Sequence, residues 1–166
     1  MKDRNTRGRK ESHEVCVLPK ILIFAGARIG WSGAVMTIPT FEEAVSRIVQ
    51  KDPRFAERAY FFLKEALDFT MQRIEEQENG AQRHVSGQEL LEGFRDYALS
   101  QFGPMASTVL KEWGIRNGGH VGEMVFLLIE EDVFSKQPED SLDDFKGFMS
   151  FRKAFEEPYE FQEQTN

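Results

Sequence analysis

The sequence predicts a mainly α fold: an irregular single domain of about six helices, with room for a short β-hairpin near the C-terminus. Three observations carry this. Apolar residues recur at helical spacing in several separate segments. Helix-starting and helix-stopping residues bound those segments. The connections are short and no internal repeat is present. Apolar content of 40% and charged content of 30% give such a chain enough material for one core. Fifteen Phe, against two Trp and three Tyr, make that core aromatic-rich.

The first predicted helix is Phe41 to about Lys51. Thr40 and Glu43 form a capping box. Phe41, Ala44, Val45, Ile48 and Val49 make one apolar stripe. Asp52-Pro53 ends it, because a residue before proline is pushed out of the helical region. The second helix runs from about Arg54 to Gln77. Ala56, Ala59, Tyr60, Leu63, Ala66, Leu67, Met71 and Ile74 form its main stripe, and Phe55, Phe62 and Phe69 recur on an adjacent face. Asn79-Gly80 is its stop.

A third helix starts at Ser86, where Glu89 completes another capping box, and presents Leu90, Phe94, Tyr97, Ala98 and Phe102. Gly103 stops it. Pro104 suits the first turn of a fourth helix, ending at Trp113, because its missing N–H is not needed there. Gly114 suits the left-handed residue that closes it. Phe102, Met105, Leu110 and Trp113 are the predicted anchors of this corner. After an Asn117-Gly118-Gly119 turn, a fifth helix is predicted from His120 to Phe134. Its run Met124-Val125-Phe126-Leu127-Leu128-Ile129 also fits a buried strand, but Glu130-Glu131-Asp132 with no turn favours a helix. Gln137-Pro138-Glu139-Asp140 is a loop. Ser141 with Asp144 caps a short helix, and Phe145, Phe148, Phe151 and Phe155 fall at helical intervals. A hairpin around Gly147 is the alternative.

Residues 1–35 read as an extension, either a disordered leader or a stretch ahead of the true start at Met36. Residues 36–155 then form the helical domain and 156–166 a polar tail. Gly26, Gly30 and Gly33 follow an apolar run, but their spacing departs from a dinucleotide-binding turn and no parallel sheet follows. Ala25-Gly26-Ala27 resembles a signal cleavage site, but Pro19 and Lys20 interrupt the apolar segment before it.

Charge is uneven. Residues 1–36 carry seven basic and three acidic side chains, +4, so the remaining 14 basic and 25 acidic residues sum to −11. An acidic body disfavours nucleic acid, whose phosphates need neutralising. One cysteine, Cys16, makes no intrachain disulfide and no Cys-based zinc cluster, which fits a reducing compartment. No apolar run approaches the roughly 20 residues of a membrane span.

Several strings are distinctive: Asp52-Pro53-Arg54-Phe55, Ala59-Tyr60-Phe61-Phe62-Leu63, His84-Val85-Ser86-Gly87-Gln88-Glu89-Leu90-Leu91, Gln101-Phe102-Gly103-Pro104-Met105, Trp113-Gly114-Ile115, Gly122-Glu123-Met124-Val125-Phe126 and Asp143-Asp144-Phe145. Over about residues 41–155 they resemble the planctomycete and verrucomicrobial conserved hypothetical family. The resemblance implies a bacterial, cytoplasmic, single-domain protein and transfers no activity or site residue. Ahead of Gly122-Glu123 this chain has His120-Val121 where the family pattern has an acidic residue and an aliphatic or Phe.

No catalytic constellation, cofactor motif or metal set stands out. Asp52 and Arg54 are the candidate binding pair. Arginine at a helix start opposes the macrodipole and calls for a carboxylate partner. A structural ion pair and anion recognition are the two readings. His84, near Ser86 and Glu89, is the other candidate, as a turn residue or a general base. His120 and Glu123 lie one turn apart, but two ligands do not make a metal site. The acidic residues Glu139, Asp140, Asp143 and Asp144 lack calcium-loop spacing. The leading expectation is a non-enzymatic, cytoplasmic domain that binds another protein. The alternatives are a winged-helix-like nucleic-acid regulator and an enzyme with a site near His84 and Arg54.

Overall fold

The computed structural model describes residues 18–19, 39–78, 84–135, 141–146 and 150–159. They form a mainly helical fold with strand β1 (Leu18–Pro19), helices α1 (Phe41–Lys51), α2 (Glu57–Gln77), α3 (Gly87–Phe102), α4 (Ala106–Glu112) and α5 (Gly118–Glu130), strand β2 (Phe134–Ser135) and helix α6 (Phe151–Phe155). Short 3-10 turns lie at Gly103–Met105, Leu142–Phe145 and Glu157–Tyr159. The two strands pair antiparallel, Leu18 with Ser135 and Pro19 with Phe134. This ladder joins distant segments and is not a hairpin. The Gly26-Gly30-Gly33 turn, the 25–27 cleavage site, Met36, the Asn79-Gly80 stop, the loop at 137–140 and the hairpin around Gly147 lie outside the described residues.

α1 has its predicted limits. The Glu43 N–H donates to Thr40 Oγ1 at 3.3 Å and the Thr40 N–H to Glu43 Oε2 at 3.0 Å. Phe41, Ala44, Val45 and Ile48 are buried, and Asp52 is extended ahead of Pro53. α2 starts three residues later than predicted, at Glu57 rather than Arg54. The Asp52 carboxylate takes the Arg54 N–H at 3.2 Å, which folds the link into a turn. Phe55 therefore leaves the helical stripe it shares in sequence with Phe62 and Phe69, and is buried in the core instead.

α3 starts at the predicted capping box of Ser86 and Glu89. It packs against α2 at one close point. A Cβ on Gly93 would lie 1.8 Å from Thr70 Oγ1 and 2.8 Å from Thr70 Cβ. Thr70 is buried, and its hydroxyl donates to the Ala66 carbonyl at 2.6 Å. Glycine at 93 thus sets the spacing of the two longest helices. Gly103 ends α3 at φ 50, as predicted. The chain then makes a 3-10 turn through Pro104 before α4, so the fourth helix is shorter than expected. Met105 is 56% exposed and is not an anchor. Leu110 is fully buried, while Phe102 and Trp113 are half-buried against the core.

α5 contains both residues 118 and 119, which the sequence placed in a turn. Asn117 is its cap, with Oδ1 accepting from the His120 N–H at 3.0 Å. Residues 124–129 are helical. The helix stops at Glu130, short of the predicted Phe134, because Asp132 at φ 61 turns the chain into β2. On its inner face a Cβ at Gly122 would fall 2.6 Å from the Phe145 ring. Ser141 and Asp144 cap a single 3-10 turn that delivers Phe145 to this spot. Phe145 and Phe151 therefore sit on separate turns, not on one helix. At the predicted start of the tail, the Glu156 carboxylate accepts from Ser107 Oγ at 2.7 Å and from Lys111 Nζ, which ties it to α4.

Gly93→Ala is expected to destabilise by about 1–3 kcal/mol through overpacking. Thr70→Ala in the same chain should recover part of that loss, because it removes the hydroxyl and methyl and leaves only the Cβ contact. Urea unfolding of both single variants and the double variant checks this. Simple additivity would mean that the two helices do not meet at Gly93.

Candidate functional site

The polar residues singled out in the sequence meet at the link between α1 and α2. Arg54 Nε lies 2.9 and 3.0 Å from the two Asp52 carboxylate oxygens, and its Nη2 is 2.7 Å from Oδ2. Its Nη1 reaches Glu123 Oε2 on α5 at 2.6 Å. The expected carboxylate partner of Arg54 is thus two carboxylates, one adjacent and one distant. The hydrogen bond from Arg54 holds the Asp52 carboxyl below its usual range. Hydrogen bonds to Asp52 and then Glu123 hold the guanidinium above its own. The three charges sum to −1, so an incoming anion would meet net repulsion. This arrangement is a structural clamp between the α1–α2 link and α5.

Beneath the clamp lies an aromatic floor. The Arg54 guanidinium carbon sits 5.2 Å from the Phe55 ring centroid. The His120 ring meets Phe55 edge-on at 5.5 Å, and Tyr60 meets it at 6.4 Å. Tyr60 is fully buried, and its hydroxyl has no hydrogen-bond partner among the described residues. Burial first, then the Asp52 charge, push its pKa up to about 12. His120 Nδ1 accepts the Arg116 N–H at 3.3 Å and lies 3.1 Å from the Gly114 carbonyl. His120 and Glu123 are therefore both engaged by neighbours. Among the described residues no group of three or more His, Cys, Asp or Glu could hold a metal.

The clamp rests on a backbone seat. The Ala56 N–H donates to the Trp113 carbonyl at 3.0 Å. Gly114 has φ 90, and a Cβ there would stand 2.2 Å from the Arg54 carbonyl oxygen. The left-handed residue foreseen at the end of α4 thus serves two ends: it closes the helix and lets the Arg54 backbone approach.

His84 is not part of this assembly. It is exposed, ahead of α3. Neither it nor Arg54 lines the small hollow of about 90 Å³ bordered by Thr70, Arg73, Gln77, Glu89 and Glu92, or the shallow depression at Pro39, Glu42 and Arg47.

A second feature had no motif to announce it. Phe62 is the hub of a ribbon of rings, with Phe94, Tyr97, Phe102 and Trp113 at 5.1–5.5 Å. Phe69 extends the ribbon through Tyr97 at 5.5 Å, and Phe102 meets Trp113 at 5.6 Å. Phe69, Tyr97, Phe102 and Trp113 are half-buried, so the ribbon shows one edge to solvent. Glu65 stands beside it and accepts the Tyr97 hydroxyl at 3.0 Å. The heptad spacing of Phe62 and Phe69, the shared helix face of Phe94, Tyr97 and Phe102, and the corner of Phe102 and Trp113 were its separate traces in the sequence.

No family model, curated protein or solved structure matches the chain. No helix among the described residues is long and apolar enough to cross a membrane.

A double-mutant cycle on Arg54→Ala and Glu123→Ala is expected to give a coupling of about 0.2–1 kcal/mol, because the two side chains are 58% and 35% exposed. Thermal or urea unfolding measures it. A coupling above about 2 kcal/mol would contradict the solvent-screened clamp described here.

Proposed function

We propose that this chain is a non-enzymatic bacterial cytoplasmic domain that works by binding another protein. The observation that carries the reading is the half-exposed aromatic ribbon across α2, α3 and α4. Rings of this kind supply large contact area with little loss of side-chain freedom, and they are enriched at protein interfaces. The acidic balance of the body, with Glu65 at the ribbon itself, favours a basic partner. The resemblance to the planctomycete and verrucomicrobial family belongs to this proposal as a statement of kinship and adds no activity.

The alternatives find less support. An enzyme built around His84 and Arg54 needs both in one pocket. Arg54 is instead held by Asp52 and Glu123, and His84 lies ahead of α3. A winged-helix regulator needs a basic recognition helix, and α5 carries no Lys or Arg between Gly118 and Glu130.

Affinity capture of the full chain from its native bacterial lysate tests the proposal. It is expected to retain one stoichiometric basic protein, with binding at least tenfold weaker at high salt than at low salt. Met105→Lys, at an exposed residue three positions from Phe102, should weaken capture while leaving stability unchanged. Capture of nucleic acid, or of nothing, would contradict the reading. Retention indifferent to both salt and Met105→Lys would contradict the acidic, ribbon-centred surface.

A further inference from the structure

Glu65 is an exposed carboxylate set among half-buried rings. On α2 it lies between Phe62 and Phe69, about one turn from each, so the three share a face. From α3 the Tyr97 hydroxyl donates to Glu65 Oε2 at 3.0 Å. The Phe69 and Tyr97 rings are 5.5 Å apart between centroids and tilted by 37°. Among the described residues no Lys, Arg or His pairs with Glu65. The nearby cations are committed elsewhere. Lys64 pairs with Asp68 at 3.4 Å, Arg73 and Arg95 both pair with Asp96, and Arg58 lies two turns back along α2.

The chain holds the completed form of such an arrangement at the clamp. There the Arg54 guanidinium sits 5.2 Å from the Phe55 ring centroid while Asp52 and Glu123 take its N–H groups. The group at Glu65 has the carboxylate and the rings but no guanidinium. Burial, and then the hydrogen bond to Glu65, push the Tyr97 pKa up, so the phenol stays protonated and keeps donating. A phenol that donates to a carboxylate has a more electron-rich ring, which draws a cation to its face more strongly. Arginine fits this combination better than lysine. Its guanidinium is planar and weakly hydrated, so it can stack on a ring and direct N–H groups to a carboxylate at once.

We infer that Glu65, Phe69 and Tyr97 form a receptor for one arginine side chain of the basic partner protein. The guanidinium lies against the two rings and donates to the Glu65 carboxylate. The inference rests on the reading of the aromatic ribbon as a binding face, and it narrows the partner to a protein that presents an exposed arginine. Glu65 thereby gives specificity to a surface whose rings alone would accept many apolar partners.

NMR titration of the full-length chain with two capped peptides of equal charge, tetra-arginine and tetra-lysine, tests the receptor. The arginine peptide should bind about two- to fivefold tighter than the lysine peptide. It should shift the Phe69 and Tyr97 ring signals most. Glu65→Gln should weaken the arginine peptide by about two- to fivefold and abolish its advantage over lysine. Glu75→Gln makes the same charge change at an exposed position elsewhere on α2 and should leave the advantage intact. Equal affinity for the two peptides, equal losses in the two variants, or no binding of either peptide would each overturn the inference. Affinity capture with Glu65→Gln separates this inference from the reading beneath it. Capture that is lost in Met105→Lys but unchanged in Glu65→Gln would overturn the arginine receptor and leave the ribbon as a binding face. An arginine preference that vanishes in Glu65→Gln, with no protein captured, would support the receptor and contradict the protein-binding reading.

Discussion

The structure depends on the place where the Arg54 carbonyl passes over Gly114. Two connections meet there that are about sixty residues apart in the chain, the α1–α2 link and the turn after α4. The contact is between backbones, so it tolerates no side chain at position 114. Everything nearby follows from that closeness. Ala56 bonds the Trp113 carbonyl, Phe55 turns inward, and Arg54 is left at the surface facing α5. The ion pairs close over the seat but are exposed enough that solvent screens most of their energy. Fit of backbone and aromatic rings holds this corner, and the charges orient it.

The same device recurs twice in the domain. Gly93 lets α3 meet the Thr70 side chain on α2, and Gly122 lets α5 lie flat on the Phe145 ring. At each point glycine trades helix propensity for close approach, a cost of about 1 kcal/mol against alanine. The helices are thereby packed around three tight contacts with rings between them. The aromatic ribbon is the outer margin of that packing. Phe62 belongs to the core, while Phe69, Tyr97, Phe102 and Trp113 spread outward from it, so the proposed binding face is continuous with the interior.

What the sequence made legible was local. Thr40 with Glu43, Ser86 with Glu89, Ser141 with Asp144, the stop at Gly103 and the left-handed Gly114 appear where short-range rules put them, because each is settled within four or five residues. The non-local features were not legible. Nothing in the string Asp52-Pro53-Arg54-Phe55 reveals that Phe55 leaves the helix, since that depends on the seat at Gly114. Glu123 stood out in the sequence only for lying one turn from His120, yet it pairs with Arg54 from another element. Leu18–Pro19 gave no sign of its partner because a two-residue ladder has no periodicity to detect. Gly93 and Thr70 looked like ordinary helix positions until the two helices were set side by side.

The most direct test of this account compares the unfolding free energies of Gly114→Ala and Gly103→Ala. Both glycines have positive φ, but only Gly114 has backbone where the new Cβ would go, and Gly103 has nothing within 4 Å. Gly103→Ala should therefore cost only the backbone strain of φ 50 and ψ −128, about 1–3 kcal/mol. Gly114→Ala should cost that and a further 1–3 kcal/mol or so from the clash with the Arg54 carbonyl. Equal losses at the two positions would mean that the Arg54 backbone does not rest on Gly114, and the account of the corner would fail with it.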